Sequence, residues 1–265
     1  MPIMRLDKFL VSCDVCSRSE ARKLVKAKRI KLNDSPAKAP DQKIDTNKDQ
    51  VFFDGKLLGY QEFHYYMLNK PAGVITATED TRQETVMDLL PERRRKNLSP
   101  VGRLDKDTEG LLLITDDGQL NHHLLAPGFH VQKTYLACIR RPVSEEDVQK
   151  FREGLDIGEK ALTAPALLQR VDIGSDCLYG LTPDYLNALL RAADASPFPP
   201  EPAWALVSIT EGKFHQIKRM FEAVGSEVLY LKRLSMGNLK LDPELKPGQW
   251  RMLTQEEIQE LKNQS

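Results

Sequence analysis

Short apolar runs that alternate with helix-like patterns dominate the chain from Tyr65 onward. The runs cover residues 66–68, 111–114, 133–139, 205–210 and 227–231, and none approaches the ~20 apolar residues that a membrane-spanning helix needs. Runs of this length, bounded by turn-forming residues, are typical of β-strands. Strands interspersed with short helices predict an α+β fold, and 265 residues suffice for one large domain with a small one attached.

The first 59 residues have a different character, because they are basic. They carry 13 Lys+Arg against 8 Asp+Glu, a net charge of +5, and the rest of the chain carries 25 against 30 out of totals of 38 each. Positive charge is densest in one stretch, where a single acid, Glu20, stands among Arg18, Arg22, Lys23, Lys26, Lys28, Arg29 and Lys31. Such a stripe is typical of a phosphate-binding surface, although a solvated helix face has the same composition.

The apolar spacing in this basic segment predicts two helices and a strand. Leu6, Phe9 and Leu10 have the spacing of one helix face, and Ser17 with Glu20 forms the sequence of a capping box that opens a second helix. A strand is expected at residues 30–33. The change of character near Tyr60 predicts a small domain at residues 1–59 and a large one at residues 60–265, with an insertion expected at residues 175–203 to which we assign no function.

The cysteines and the chain start indicate a protein that remains in the cytoplasm. The sequence begins without the apolar core of a secretory signal, so Cys13, Cys16, Cys138 and Cys177 are expected to be reduced. Cys13 and Cys16 have the spacing of half a zinc site, but no second close pair completes four ligands. We therefore expect no metal and no cofactor.

A charged loop, residues 100–110, stands between a Pro-Gly breaker and the apolar run at residues 111–114. It places Asp105, Asp107 and Glu109 at the rim of a predicted sheet, where catalytic side chains are commonly held. The same acids could instead be turn formers and caps. Their alternation, with Asp116 at the twelfth position, also imitates a calcium loop, but an entering helix and the terminal Glu are missing.

Several motifs in this chain resemble those of one enzyme family. The motifs, in chain order, are Leu68-Asn69-Lys70-Pro71-Ala72-Gly73, Val101-Gly102-Arg103-Leu104-Asp105 with Thr108-Glu109-Gly110-Leu111-Leu112-Leu113, Lys133-Thr134-Tyr135, and Glu211-Gly212-Lys213-Phe214-His215-Gln216-Ile217-Lys218-Arg219-Met220-Phe221. Together they resemble the RsuA-type pseudouridine synthases, and the basic segment resembles the S4 RNA-binding domain with which those enzymes begin. The resemblance implies an S4-like domain followed by a synthase domain built on a mixed, mainly antiparallel sheet.

The resemblance also implies catalytic roles. Asp105 matches the family's catalytic aspartate, which acts either as a nucleophile at ribose C1′ or as a base that gives a glycal, and the sequence leaves both routes open. Tyr135 matches the aromatic residue that stacks on the target base, and Lys218 matches the basic partner of the aspartate. Without the motifs, Tyr135 reads as an ordinary strand tyrosine and Lys218 as a solvated lysine.

RNA contacts follow from the same resemblance. Arg103 matches the residue that helps replace the flipped-out base in the RNA. Further expected contacts are Arg18, Arg22, Lys23, Lys26, Arg29, Lys70, Lys213, His215 and Arg219. The expected partner is ribosomal RNA. The protein is expected to be a monomer and to have no membrane partner.

Three functions remain open on the sequence. Residues 115–119 and 162–166 resemble the member of the family that acts on small-subunit (16S) RNA, and a large-subunit (23S) synthase is the alternative. A non-catalytic RNA-binding assembly factor is a third possibility. It is disfavoured because a carboxylate in a phosphate-binding surface repels its ligand.

Overall fold

The computed structural model describes residues 3–13, 15–59, 63–90, 98–171 and 203–263. The chain divides into two compact units, Met1–Phe63 and His64–Ser265. This division falls a few residues beyond the change of character that we placed between residues 59 and 60. The insertion expected at residues 175–203 lies, apart from Ala203, outside the described residues.

The first unit packs two helices against short strands. Its elements are β1 (Ile3–Arg5), α1 (Leu6–Ser12), α2 (Arg18–Lys26), β2 (Ile30–Leu32), β3 (Ser35–Pro36), β4 (Lys43–Asp45), β5 (Val51–Phe53) and β6 (Lys56–Leu58). Strand β1 pairs with β4, and the other four form an antiparallel sheet in the order β3-β2-β5-β6.

Local sequence signals explain why these helices form where they do. The side chains of Leu6, Phe9 and Leu10 are all buried on one face of α1, as their spacing predicted. Helix α2 begins at the predicted capping box: the Ser17 side chain accepts from the Glu20 backbone N–H, and the Glu20 side chain caps Ser17 in return. The two orphan N–H groups are thereby satisfied, which fixes the start of α2 and the direction of its basic face.

The second unit is built on a nine-stranded sheet. Its elements are β7 (Tyr65–Lys70), β8 (Ser99–Pro100), β9 (Glu109–Thr115), α3 (Gly118–Leu125), a 3-10 turn (Pro127–Phe129), β10 (Lys133–Ile139), α4 (Glu145–Glu153), β11 (Leu167–Val171), β12 (Ala203–Ile209), α5 (Gln216–Ala223), β13 (Val228–Met236), β14 (Leu239–Lys240), β15 (Trp250–Met252) and α6 (Gln255–Lys262). The main path runs β11-β12-β10-β13-β9-β7-β15, with β14 beside β13 and β8 beside β9. Only the β13–β9 pair among these is parallel, which confirms a mixed, mainly antiparallel sheet in an α+β fold.

The parallel pair at the centre of the sheet depends on a glycine. Gly110 has φ +99°, and a Cβ atom there would lie 2.2 Å from the Arg233 carbonyl oxygen on β13. Only glycine permits both this backbone conformation and this approach. All seven residues of β9 are buried, as expected of a central strand covered on both faces.

The two faces of the sheet are covered differently. One face carries the main core, in which Tyr135, Phe151 of α4 and Ile217, Met220 and Phe221 of α5 are buried. The opposite face carries a smaller cluster centred on Leu136, Cys138, Tyr230 and Leu234. Because α5 packs on the face of Tyr135, its first turn lies beside the loop that connects β8 to β9.

Candidate active site

The loop that carries Asp105, residues 101–108, is gripped through its backbone. The Thr76 hydroxyl donates to the Leu104 carbonyl at 2.7 Å and accepts from the Leu104 N–H at 3.2 Å. The Gly73 N–H donates to the Lys106 carbonyl at 2.8 Å. Asp105 is therefore presented from a segment whose neighbours on both sides are fixed by hydrogen bonds.

Lys70 supports this loop from below, and our expectation that it contacts RNA is wrong. Its side chain is fully buried, and its ammonium donates to the carbonyls of Pro71, Lys106 and Thr108 at 3.0, 3.2 and 2.9 Å. Burial lowers the pKa of Lys70 to about 8, and the nearby acids act against that shift. An ammonium that satisfies three backbone carbonyls has no donor left for a phosphate.

Two basic side chains flank the Asp105 carboxylate. Lys218 Nζ, on the first turn of α5, lies 3.6 Å from Asp105 Oδ2, and His215 Nε2 lies 3.4 Å from Oδ1. The Asp105 side chain is 26% exposed, so the carboxylate is partly buried but open to a ligand. Both nitrogen atoms therefore lie within ion-pair distance of the carboxylate.

The shortest bonds of Lys218 go to a different acid. Lys218 Nζ donates to both carboxylate oxygens of Asp107, at 2.6 and 2.7 Å. Asp107 is much more exposed than Asp105, at 71% against 26%. The lysine thus bridges two acids: it lies beside Asp105, the partner that the resemblance implied, and it also binds Asp107, which the sequence did not indicate as a partner.

Tyr135 and Asp105 line one narrow cleft of about 80 Å³. Tyr135 projects from β10, where it is 7% exposed, so its ring forms a fixed wall of the cleft. Leu104, Ile209, Ile217 and Leu231 add apolar surface. An aromatic ring, an apolar lining and a carboxylate in one cleft suit a flat polar ring such as a nucleobase.

A short loop between β12 and α5 forms the opposite rim of the cleft. The Gln216 side chain, which is buried, accepts from the Lys213 N–H at 2.9 Å and donates to Glu211 at 2.8 Å. Arg219 was expected to contact RNA, but its guanidinium donates to Glu159 at 2.8 Å, to the Phe214 carbonyl at 3.1 Å and to the Ile157 carbonyl. Arg219 therefore holds the loop in place.

The remaining residues expected at the cleft do line it. Arg103 is exposed at its edge, and His215 and Lys213 lie on the opposite rim. Lys213 Nζ donates to the Leu162 carbonyl at 3.1 Å and lies 3.6 Å from Glu211, which leaves it partly engaged. Arg103, Lys213 and His215, which the sequence motifs indicated, therefore line the same cleft as Asp105.

Four of the seven basic residues of the stripe lie on the exposed surface of α2, namely Arg18, Arg22, Lys23 and Lys26. The stripe from Arg18 to Lys31 is exposed, and Arg18 and Arg22 line a groove of about 630 Å³ with Arg5 and Lys8, which the sequence analysis did not single out. Arg29 is bound to the Asp54 carboxylate through both its Nε and a terminal nitrogen. Arg29, which follows α2, is consequently less available to a phosphate than the basic residues on the helix.

The alternatives based on metal ions find no support in the residues concerned. Residues 109–115 form β9, so the calcium-loop alternative is wrong, and the acids turn to separate partners: Asp107 to Lys218, Glu109 to the Tyr230 hydroxyl at 2.8 Å and Asp116 to the His64 N–H at 2.6 Å. Within the part of the chain that the structure describes, no group of three His, Cys, Asp or Glu side chains could hold a metal ion.

The described helices include none with the length and apolar character of a membrane span.

A larger cavity of about 450 Å³ lies on the other face of the sheet. Its lining includes Thr134, Leu206 and Lys232, which alternate along their strands with residues of the cleft face. It lacks the combination of an open carboxylate and an aromatic wall, so the smaller cleft is the better candidate for catalysis.

Comparison with protein families and known proteins identifies both units. The S4 domain model matches residues 4–50, and the RNA pseudouridylate synthase model matches residues 64–223. A Bacillus subtilis protein named as an uncharacterized RNA pseudouridine synthase is 44% identical over 96% of this chain and 97% of its own. Proteins named ribosomal small subunit pseudouridine synthase A from Yersinia pestis and Escherichia coli K12 are 38% and 35% identical over 96% of this chain, and over 97% and 98% of theirs.

A solved structure extends this similarity to the fold. The crystal structure of a pseudouridylate synthase that is 34% identical in sequence matches 97% of this chain and 99% of its own with a TM-score of 0.60. The sequence and structural matches each cover nearly the whole chain and so run through both units. The chain therefore belongs to the RNA pseudouridylate synthase family and is a pseudouridine synthase of the RsuA type, with an N-terminal S4 domain.

Proposed function

We propose that this enzyme converts one uridine of small-subunit (16S) ribosomal RNA to pseudouridine, with Asp105 as the catalytic carboxylate. The observation that carries the proposal is the single partly buried carboxylate of the cleft, flanked by Lys218 at 3.6 Å and His215 at 3.4 Å, in the same cleft as the Tyr135 ring. The choice of small-subunit RNA rests on the names of the relatives at 35–38% identity.

The chemistry requires one carboxylate and no redox partner. The N1–C1′ bond of the nucleotide breaks, a C5–C1′ bond forms, the C5 proton leaves and N1 is protonated, so substrate and product have the same composition. Asp105 either attacks C1′ or removes a ribose proton to give a glycal. In both routes Lys218 keeps positive charge near the negative charge as it passes from the carboxylate to the departing uracil.

Access to C1′ requires the target nucleotide to leave its stack. Flipping costs a few kcal/mol, which stacking and phosphate contacts offset. Tyr135 supplies a rigid ring wall for the base, and exposed Arg103 at the cleft edge is positioned to fill the space vacated in the RNA. The basic face of α2, around Arg18 and Arg22, supplies phosphate contacts that do not depend on sequence.

The test is tritium release from 5-tritiated uridine in unmodified 16S and 23S transcripts, naked and in assembling particles. Wild-type protein is expected to release tritium from the 16S transcript only. Asp105→Asn should abolish release while RNA affinity stays within about two-fold, because the change removes the reactive carboxylate but little volume. Release from 23S RNA alone would establish the large-subunit alternative, and RNA binding without release would establish the non-catalytic one.

Cellular location and assembly belong to the same proposal. An enzyme acting on ribosomal RNA works where ribosomes are assembled, so we propose a cytoplasmic location. We also propose that the protein is a monomer. Sedimentation of the purified protein, alone and with transcript, tests the monomer directly.

A further inference from the structure

An exposed aromatic ring stands at the rim of the cleft. Phe214 is 74% exposed, the most of any large apolar side chain that the structure describes. Its chain neighbours Lys213 and His215 both line the cleft. Phenylalanine is among the residues most often buried, and an exposed ring gains nothing from water. Its place between two residues that line the cleft, rather than its exposure alone, calls for an explanation.

The ring of Phe214 stacks on a residue that itself contacts the Asp105 carboxylate. The Phe214 and His215 rings are nearly parallel, with centroids 3.8 Å apart and an interplanar angle of 17°. His215 in turn lies 3.4 Å from Asp105 through Nε2. One face of the Phe214 ring is therefore covered by the imidazole, and the 74% exposure of the side chain leaves its other face open.

The loop holds this pair of rings in a fixed position. His215 precedes α5 in a left-handed conformation, with φ 48° and ψ 34°, which is uncommon for a residue other than glycine. Arg219 binds the backbone carbonyl of each residue of the pair, through its guanidinium to Phe214 at 3.1 Å and through its N–H to His215 at 3.0 Å. A ring held this way loses little conformational freedom when a ligand stacks on it.

We propose that Phe214, backed by His215, binds an unpaired nucleobase adjacent to the target uridine by stacking on its open face. The proposal rests on the proposed function, because adjacency to the target follows only if Asp105 acts on the RNA. Every nucleobase has a π-face, so the site selects unpaired, extended RNA rather than one base. Arg103 and Lys213 at the cleft rims supply positive charge for the flanking phosphates, which favours RNA over an apolar protein partner.

The kinetic test replaces the ring without removing apolar bulk. With 16S transcript, Phe214→Leu is expected to raise KM roughly 5- to 150-fold, the range that loss of one base–aromatic stack produces, and to leave kcat within about two-fold. Phe214→Tyr and Phe214→Trp should restore KM. Leu167→Ala, at a 52% exposed apolar residue of β11, is the matched control. Unchanged KM in Phe214→Leu, or an equal loss in all three Phe214 variants, overturns the proposal.

A binding test reports stacking without turnover. A single-stranded uridine-rich RNA with one central 2-aminopurine is titrated with each variant, and fluorescence quenching measures stacking of that base. Wild type, Phe214→Tyr and Asp105→Asn should quench, and Phe214→Leu should not. Quenching without tritium release from any transcript would refute the proposed function but leave a stacking site, and release with quenching that does not depend on Phe214 would refute the stacking site alone.

Discussion

Replacing Lys218 by glutamine tests the electrostatic core of the cleft. The 3.6 Å separation of Lys218 Nζ from Asp105 Oδ2 corresponds by Coulomb's law to ~1 kcal/mol in bulk water and ~5 kcal/mol at an effective dielectric constant of ~20. The two side chains are 20% and 26% exposed, which places the pair between these limits. With Asp107 sharing the lysine, we take a loss of ~2 kcal/mol, equivalent to a ~30-fold slower chemical step.

The assay is single-turnover tritium release from saturating 16S transcript, because it isolates the chemical step from product release. Lys218→Arg should recover part of the rate, since it keeps the charge. Asp107→Asn is the matched control: it removes the acid that holds Lys218 at 2.6 and 2.7 Å, so the lysine is left to Asp105 and the rate should not fall.

Two results would refute this reasoning. A Lys218→Gln rate within about two-fold of wild type would mean that the lysine contributes no differential stabilisation of the transition state. A fall in Asp107→Asn as large as that in Lys218→Gln would mean that the exposed acid, rather than Asp105, is the partner that matters. Thermal unfolding of each variant checks that the fold is retained.

Three further predictions concern stability and RNA binding. Burial lowers the pKa of Lys70 to about 8 from the usual 10.5, so on raising the pH the folded state releases this proton before the unfolded state does. Between about pH 8 and 10.5 the unfolding free energy of the wild type should therefore rise by up to ~3 kcal/mol relative to that of Lys70→Met. Urea titrations that show no such rise would contradict this prediction. Arg18→Gln with Arg22→Gln should reduce the slope of log affinity against log salt by ~1.5, measured with 16S transcript; an unchanged slope would remove these residues from the RNA interface. Gly110→Ala should cost more than ~3 kcal/mol in denaturant titrations because its Cβ meets backbone at 2.2 Å, whereas Gly248→Ala, with φ +86° and open space, should cost only ~1–2 kcal/mol; equal costs would contradict the packing argument.

Periodicity and caps predicted both helices of the first unit and the five longest of the described strands, but not most of the short strands. The run at residues 133–139 is β10 with the same bounds, and the capping box at Ser17 and Glu20 starts α2. Other strands were found but too short: the run at residues 227–231 predicted only the first part of β13. β13 is longer than predicted because it continues through Lys232 and Arg233. Charged residues usually mark the end of a buried strand, but both of these side chains are buried.

The site was predictable where motifs carried it and not where tertiary contacts decided it. The motifs brought Asp105, Tyr135 and Lys218 to one cleft. They could not separate Lys70, which is buried beneath the loop, from a lysine free to bind phosphate, because burial depends on residues distant in the chain. Phe214 was overlooked because a phenylalanine between charged residues reads as one more core position. Its exposure and its stacking on His215 distinguish it, and both depend on the folded structure.

The parallel pairing of β9 with β13 has a consequence for the order in which the protein is made. Arg233 Nε donates to the Leu111 carbonyl across 122 residues of sequence, and Lys218 reaches Asp107 across 111. A nascent chain that has not yet emerged past Met236 lacks the strand that seats β9. The first unit, by contrast, closes its own core within Met1–Phe63. During translation, the unit that contains the S4 domain can therefore fold long before the chain is able to modify a nucleotide.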